Sequence, residues 1–322
     1  MSAIGGLLGT FGSAILPVVA IASVGFALGR LKDVDPGGLN TVTVYVLAPA
    51  LVFHSLAVSE LTGGAIARVT VGVIAFTTVM ALIGEVVGRL SGETDPMVSA
   101  LVLVAAFSNA GNLGIPVSDF AFGEVGRQTA VLFLSVQAVL MYTLGVYAAA
   151  RAGGSAGLSG VERVFRIPLV YAVAAALIAR AMDVVPPADT AGMEALGLVG
   201  DSAIPVMLLI LGIQLARTNY GDALSRATTG TALRLGVSPF VGLGIALVLG
   251  FEDPTVARTF VIECAMPAAV TPVILTVEFA ADRQVGAITV PEYVSTCVLV
   301  TTLISVPLLT GLIALLQSGL LL

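Results

Sequence analysis

The chain has no tryptophan, one histidine (His54), one lysine (Lys32) and two cysteines among 322 residues, and only 11% of it is charged. A soluble domain carries about a quarter charged residues, so a water-soluble globular fold is excluded. With one histidine and with Cys264 and Cys297 in separate apolar runs, no Cys/His ligand cluster exists. The cysteines read as core thiols, and neither a metal nor a cofactor is expected. Basic tracts of the kind that bind nucleic acid are absent. The first Lys or Arg is Arg30, so no basic n-region marks a signal peptide. No phosphate-binding loop, zinc-hydrolase motif or aspartate-rich prenyl motif occurs. The stretch Gly157-Leu158-Ser159-Gly160 matches a membrane serine protease pattern, but such a serine needs a base within hydrogen-bond reach, and the lone histidine lies in a distant span. An enzyme is not expected.

What is present is hydrophobicity: 57% of residues, with a mean hydropathy of +1.06. The apolar residues come in runs of about 20, enough to cross a hydrocarbon core of ~30 Å, rather than in the short alternating segments of a β-barrel. The expected fold class is an all-α polytopic membrane protein in membrane lipid. The formal net charge is −6, with thirteen arginines against one lysine. Acidic loops poor in lysine suit a halophilic host, although a GC-rich genome also favours arginine.

Ten spans are expected, over 11–29, 38–58, 66–88, 97–122, 127–150, 166–183, 195–216, 230–250, 255–280 and 290–316. A Gly/Ser-rich linker at 151–165 divides them five and five, giving a first repeat over 1–150 and a second over 166–322. Loops after odd spans hold ten Lys/Arg residues (Arg30, Lys32, Arg89, Arg151, Arg163, Arg166, Arg217, Arg226, Arg234, Arg283). The other loops and the termini hold four (Arg68, Arg127, Arg180, Arg258). The excess puts the odd loops in the cytoplasm and both termini outside the cell membrane. Five spans per half turns the second half over relative to the first, the plan of an inverted repeat. The prolines keep that register: Pro17 and Pro36 recur as Pro168 and Pro187, Pro49 as Pro205, and Pro116 as Pro272.

Spans 4 and 9 are built to break. The first contains Ser108, Asn109, Gly111, Asn112, Gly114 and Pro116; the second contains Met266-Pro267 and Thr271-Pro272, with Glu263 just before. Proline removes a backbone donor and crowds the preceding turn. Inside a membrane such a break survives only within protein or against a watery cavity. Two breaks at matching places point to one site near the midplane, where half-helix N-termini offer free N–H groups to an anion and asparagines add donors and acceptors.

These stretches, together with Asn40, Pro49, Phe53 and His54 in span 2, Gln137, Tyr142, Thr143 and Leu144 in span 5, Asp201 and Leu211-Gly212 in span 7, and Ser295-Thr296 and Pro307 in span 10, carry a resemblance. The chain resembles the auxin efflux carrier family, the PIN-like transporters, over essentially its whole length. The resemblance implies ten helices in two inverted repeats, with broken helices 4 and 9 crossing near their prolines. It implies scaffold helices 1, 2, 6 and 7, with 3–5 and 8–10 as a mobile domain in an elevator mechanism. The implied substrate is a small organic anion, a dicarboxylate or an auxin-like acid, held by Asn109 first, with Asn112, Gly111, Pro116, Gln137, Pro267, Thr271 and Pro272 around it. A homodimer through the scaffold helices is a further expectation. The chain departs from the plant carriers in having Leu169 after Pro168, and the long cytoplasmic loop is reduced to the short linker. Thr271 stands where many bacterial members have asparagine. Auxin itself is therefore disfavoured.

His54, Asp119 and Glu263 are candidates for ion or proton coupling, since ionisable groups inside a membrane are costly. Gly25–Gly29 and Gly84–Gly88 are GxxxG matches that indicate close helix packing. Two alternatives stay open: a channel, and a sodium-coupled bile-acid-type carrier, which would need more polar ligands at both breaks than span 9 offers.

Overall fold

The computed structural model describes residues 8–32, 34–154, 168–217, 227–285 and 288–322. In chain order its helices are α1 (Leu8–Leu31), α2 (Pro36–Ala57), α3 (Gly63–Leu90), α4 (Asp95–Ala106), α5 (110–122), α6 (124–152), α7 (Pro168–Ala181), α8 (Ala191–Ala216), α9 (Thr228–Leu249), α10 (Pro254–Ala265), α11 (Thr271–Ala280) and α12 (Val290–Gln317). Seven helical runs among the described residues are long and apolar enough to cross a membrane, α5 and α6 counting together as one run of 43 residues; α4, α7 and α11 are shorter apolar helices. The chain is a polytopic helical membrane protein, as its composition requires. One departure from an all-helical chain is a small antiparallel pair, β1 (Gln284–Val285) with β2 (Ile288–Thr289), ahead of α12. Most of the linker, with Ser159, Arg163 and Arg166, lies outside the described residues, as does Arg226.

The 43-residue run doubles back at Gly123, whose φ of 66° and ψ of −152° are not helical. A Cβ built on Gly126 would overlap the Ser118 carbonyl. Residues eight apart on a straight helix stand about 12 Å apart, so the two arms must fold against each other.

Prolines shape the helices locally. Four π-helical turns, Phe11–Ile15, Thr43–Leu47, Ala110–Gly114 and Ala232–Val237, each end two residues before a proline: Pro17, Pro49, Pro116 and Pro239. The residue before the proline donates five residues back, as Leu16 does to Phe11, Ala48 to Thr43 and Ile115 to Ala110. The ring lacks an N–H and crowds the carbonyl four residues before it, so the turn widens rather than breaks.

The densest packing falls into two groups. In one, α1 lies on α8, and α2 lies on α7 and α8; in the other, α3 packs on α4 and α9, α10 on α9 and the α5–α6 run, and α11 on α6 and α12. Small residues permit these approaches. A Cβ on Gly25 would overlap the Leu209 backbone and one on Gly212 the Ala22 carbonyl, while Gly84 and Gly88 sit against Leu101, Val102 and Val98 of α4. Both GxxxG pairs are therefore packing devices.

Arg234 corrects one sequence expectation. It was counted with the loop arginines, yet it lies inside α9 and is completely buried. Six residues into an apolar helix it cannot reach water, so it carries no topological signal. The Lys/Arg bias becomes nine against four.

Candidate functional site: a crossing of two interrupted helices

Each interruption is a short extended stretch. After α4, Phe107 is extended (φ −110°, ψ 114°) and α5 resumes beyond Asn109; after α10, Met266 is extended (φ −58°, ψ 150°) and α11 resumes at Thr271. The two stretches meet as an antiparallel bridge between Ser108 and Ala268. Asn109 N–H donates to the Pro267 carbonyl at 2.8 Å, and Ala269 N–H to the Phe107 carbonyl at 3.0 Å.

The outer edges of the bridge are closed by side chains. The Gln137 amide from α6 acts as a stand-in strand: Oε1 accepts from Ser108 N–H at 3.1 Å and from Ser108 Oγ at 2.8 Å, and Nε2 donates to the Ser108 carbonyl at 2.7 Å. On the other side Ala268 N–H donates to Thr301 Oγ1 of α12 at 3.1 Å. Ser108 N–H and C=O and the N–H groups of Asn109, Ala268 and Ala269 are thus paired without water, as an apolar surrounding demands.

The crossing lies at Ser108 and Ala268, not at Pro116 and Pro272. Pro272 sits in the first turn of α11, where proline is favoured because the first N–H groups of a helix have no intrahelical acceptor anyway. Pro116 follows the π-helical turn that opens α5, and Pro267 adjoins the bridge itself.

Beside the bridge is a cavity of about 180 Å³. Sequence reasoning anticipated five of its lining residues: Asn109, Gly111, Asn112, Gln137 and Thr271. Pro116, Pro267 and Pro272 do not line it, although Pro267 contributes its carbonyl to the bridge. Across the cavity stand Thr43, Leu169 and Met207, from α2, α7 and α8. The space therefore lies between the two packing groups. The π-helical turn Met141–Gly145 contributes Tyr142 and also Met141, which no motif singled out.

Among the described residues, the lining includes no charged side chain. Its polarity comes from amides and hydroxyls. Asn109 is only 5% exposed, and its Nδ2 has no hydrogen-bond partner. Gly111 and Asn112 belong to the first turn after one break, and Val270 and Thr271 open the other. First-turn N–H groups lack intrahelical acceptors and carry the positive end of the helix dipole. Such a cavity offers hydrogen-bond donors and partial positive charge without a fixed cation beside the ligand.

The three coupling candidates are dispersed. His54 lies on α2 beside α8, where a Cβ on Gly197 would come within 3.2 Å of its Nε2, and it does not line the cavity. Asp119, half-buried on α5, is also away from it. Glu263 is completely buried at the end of α10, and its Oε1 accepts from Ser118 Oγ at 2.7 Å. Sequence reasoning missed the part of Arg234, whose guanidinium donates from Nη1 to the Ala105 carbonyl at 2.8 Å and from Nη2 to the Cys264 carbonyl. The available signal was an arginine inside an apolar span. Cys264 and Cys297 are free buried thiols, as expected.

Comparison with known proteins agrees with this architecture. The chain is 28% identical over 295 residues to a protein from Methanothermobacter thermautotrophicus named "Uncharacterized transporter", covering 90% of this chain and 93% of that one. It is 27% identical over 319 residues to a Rhizobium meliloti protein named "Putative malonate transporter", covering 95% of each. The sequence profile of the family described as "Membrane transport protein" matches residues 10–159 and 161–313, nearly the whole chain. With interrupted apolar helices meeting at a polar cavity, the chain belongs to this membrane transport protein family, the auxin efflux carrier family, and is a transporter rather than an enzyme.

Proposed function

We propose that the chain is a secondary transporter of small organic anions in the cell membrane, with the cavity beside the Ser108–Ala268 bridge as the substrate site. The observation that carries the reading is the buried, unpartnered Asn109 Nδ2 in a cavity lined by first-turn residues of two interrupted helices. An unpaired buried donor costs about 1–3 kcal/mol, and a carboxylate oxygen is the acceptor that removes the cost. The name of the Rhizobium meliloti relative favours a short dicarboxylate such as malonate. The volume of about 180 Å³ and the absence of a lining cation suit a small acid held by amides.

In this reading α4 with α5 and α10 with α11 each make one interrupted crossing, giving ten spans in two inverted repeats over 1–150 and 166–322, joined by the linker 151–165. The group containing α1, α2, α7 and α8 is the scaffold, and the remaining helices carry the bridge as a moving unit in an elevator motion. The location of the cavity between the groups supports this division, because sliding one group past the other would expose the site to each side in turn. The Lys/Arg bias of nine against four supports both termini lying outside.

The test is uptake of labelled malonate, and of a panel of mono- and dicarboxylates, into proteoliposomes. Asn109→Ala is expected to weaken anion binding roughly 10- to 100-fold, the worth of a hydrogen bond to a charged group. Asn109→Ala transport at the wild-type rate and affinity would remove this residue from the site, and no uptake or exchange of any acid by the wild type would sink the anion reading.

A further inference from the structure

Two ionisable residues lie wholly inside the group that carries the bridge, away from any water-facing surface. Arg234 on α9 is completely buried and joins the last turns of α4 and α10 through the Ala105 and Cys264 carbonyls. Helix C-termini carry partial negative charge, so the guanidinium ties the two arriving half-helices together at the ends where the interruptions begin. The Phe76 ring also flanks it, with the guanidinium carbon 5.4 Å from the centroid. Carbonyls and a ring hold it in place, and neither balances its full charge.

Glu263 is adjacent in sequence to Cys264 and is likewise completely buried. One oxygen accepts from Ser118; the other, Oε2, has no hydrogen-bond partner. That carboxyl group presses on Gly114, where any Cβ would overlap it. Gly114 in turn donates its N–H to the Asn109 carbonyl at 2.9 Å. The carboxyl therefore stands directly behind the turn that presents Asn109 to the cavity.

We infer that Arg234 and Glu263 balance charge for the moving unit and so couple each anion to one proton. The inference rests on the anion reading above. Carrying net charge through hydrocarbon is expensive, and two loadings are neutral. With the cavity empty, the Arg234 cation is balanced by ionised Glu263. With a monoanion in the cavity (for malonate, the form with one carboxyl group protonated), the Arg234 cation is balanced by the ligand, and Glu263 is protonated on Oε2. The proton comes from water on the side where the anion binds and returns to water on the side where it leaves. One proton and one negative charge move together, and no net charge crosses.

The other charged groups on the elements packed against α10 are committed elsewhere. Asp119 lies one residue beyond Ser118, on the side of Arg127, which pairs with Glu124 and Asp201. Arg68 of α3 pairs with Glu252, Glu85 of α3 pairs with Arg89 and Arg151, and Arg258 of α10 donates to the Leu322 carbonyl. Glu292 of α12 caps its own helix through Thr289, and Tyr293 and Cys297 of α12 pack on Gly230. Arg234 by contrast bonds the end of α10 itself, at the carbonyl of the residue after Glu263.

The experiment uses the full chain in proteoliposomes with labelled malonate as probe, measuring net uptake and malonate–malonate exchange separately. In the wild type, an inward proton gradient at clamped zero potential should drive accumulation. Glu263→Gln, which fixes the neutral side chain of the loaded state, should keep exchange at the wild-type level and lose net, proton-driven uptake. Wild-type exchange that proceeds while a proton gradient drives nothing would overturn the coupling and leave the anion reading standing. So would accumulation driven by a sodium gradient at equal pH, or Glu263→Gln with normal net uptake. No exchange in the wild type, for malonate or any other acid of the panel, would remove the anion reading and this inference with it. If Glu263→Gln fails to fold, the proton-gradient response of the wild type decides alone.

Discussion

Gln137 gives the sharpest test of how the crossing is held. Gln137→Leu keeps a side chain of similar size in α6 and removes every hydrogen bond that the amide makes to Ser108. The Ser108 N–H and carbonyl are then left unpaired in a site where Ser108 is 1% exposed. Each such group costs about 1–3 kcal/mol, or about 2–6 kcal/mol for the pair. For a chain of this size that corresponds to a fall in melting temperature of roughly 3–9 °C. The protein contains its own reporters: Cys264 and Cys297 are free and completely buried, so a thiol-reactive fluorogenic dye in detergent will light up on unfolding. Ser108→Ala is the control. It removes only the hydroxyl bond to Oε1, worth about 1 kcal/mol, and leaves the backbone pairing intact. Gln137→Leu melting with the wild type, or Ser108→Ala costing as much as Gln137→Leu, would refute the view that this amide substitutes for a strand.

Two further substitutions probe the scaffold of the fold. Gly212→Val would drive a side chain into the Ala22 carbonyl and the Phe26 amide, forcing α1 away from α8; the folded, monodisperse fraction in size-exclusion chromatography should collapse, and a wild-type profile would mean that the helices do not approach as described. Gly123→Ala meets no neighbouring atom but must hold a φ of 66° with a ψ of −152°, a region open essentially to glycine alone, so it should cost about 1–3 kcal/mol of backbone strain. The dye melt should fall modestly for Gly123→Ala and much further for Gly126→Ala, whose Cβ would meet the Ser118 carbonyl.

Much of this protein was readable in local sequence. Hydrophobic runs of bilayer length specify helices in lipid whatever their partners, and Asn109, Gly111 and Pro267 announced the interrupted helices because asparagine, glycine and proline act on the backbone at their own positions. Proline located the crossing only in part: Pro267 adjoins the bridge, Pro272 opens α11, and Pro116 lies inside α5. Arg234 was misplaced because a count of basic residues near span ends does not register which way a side chain points.

The sequence by itself determined the class, the interrupted helices and the residue types gathered around them, because these follow from short-range backbone chemistry and from the solvent that surrounds the chain. Only the tertiary structure decided which groups close the break. Gln137 reaches Ser108 across 29 residues, Thr301 reaches Ala268 across 33, and Arg234 joins carbonyls that lie 129 and 30 residues away. Hydrogen-bond partners are chosen by proximity in space, and many polar side chains in this chain had the right chemistry. The helix packing brought these few within reach, and it left the Asn109 amide without a partner at the edge of a cavity.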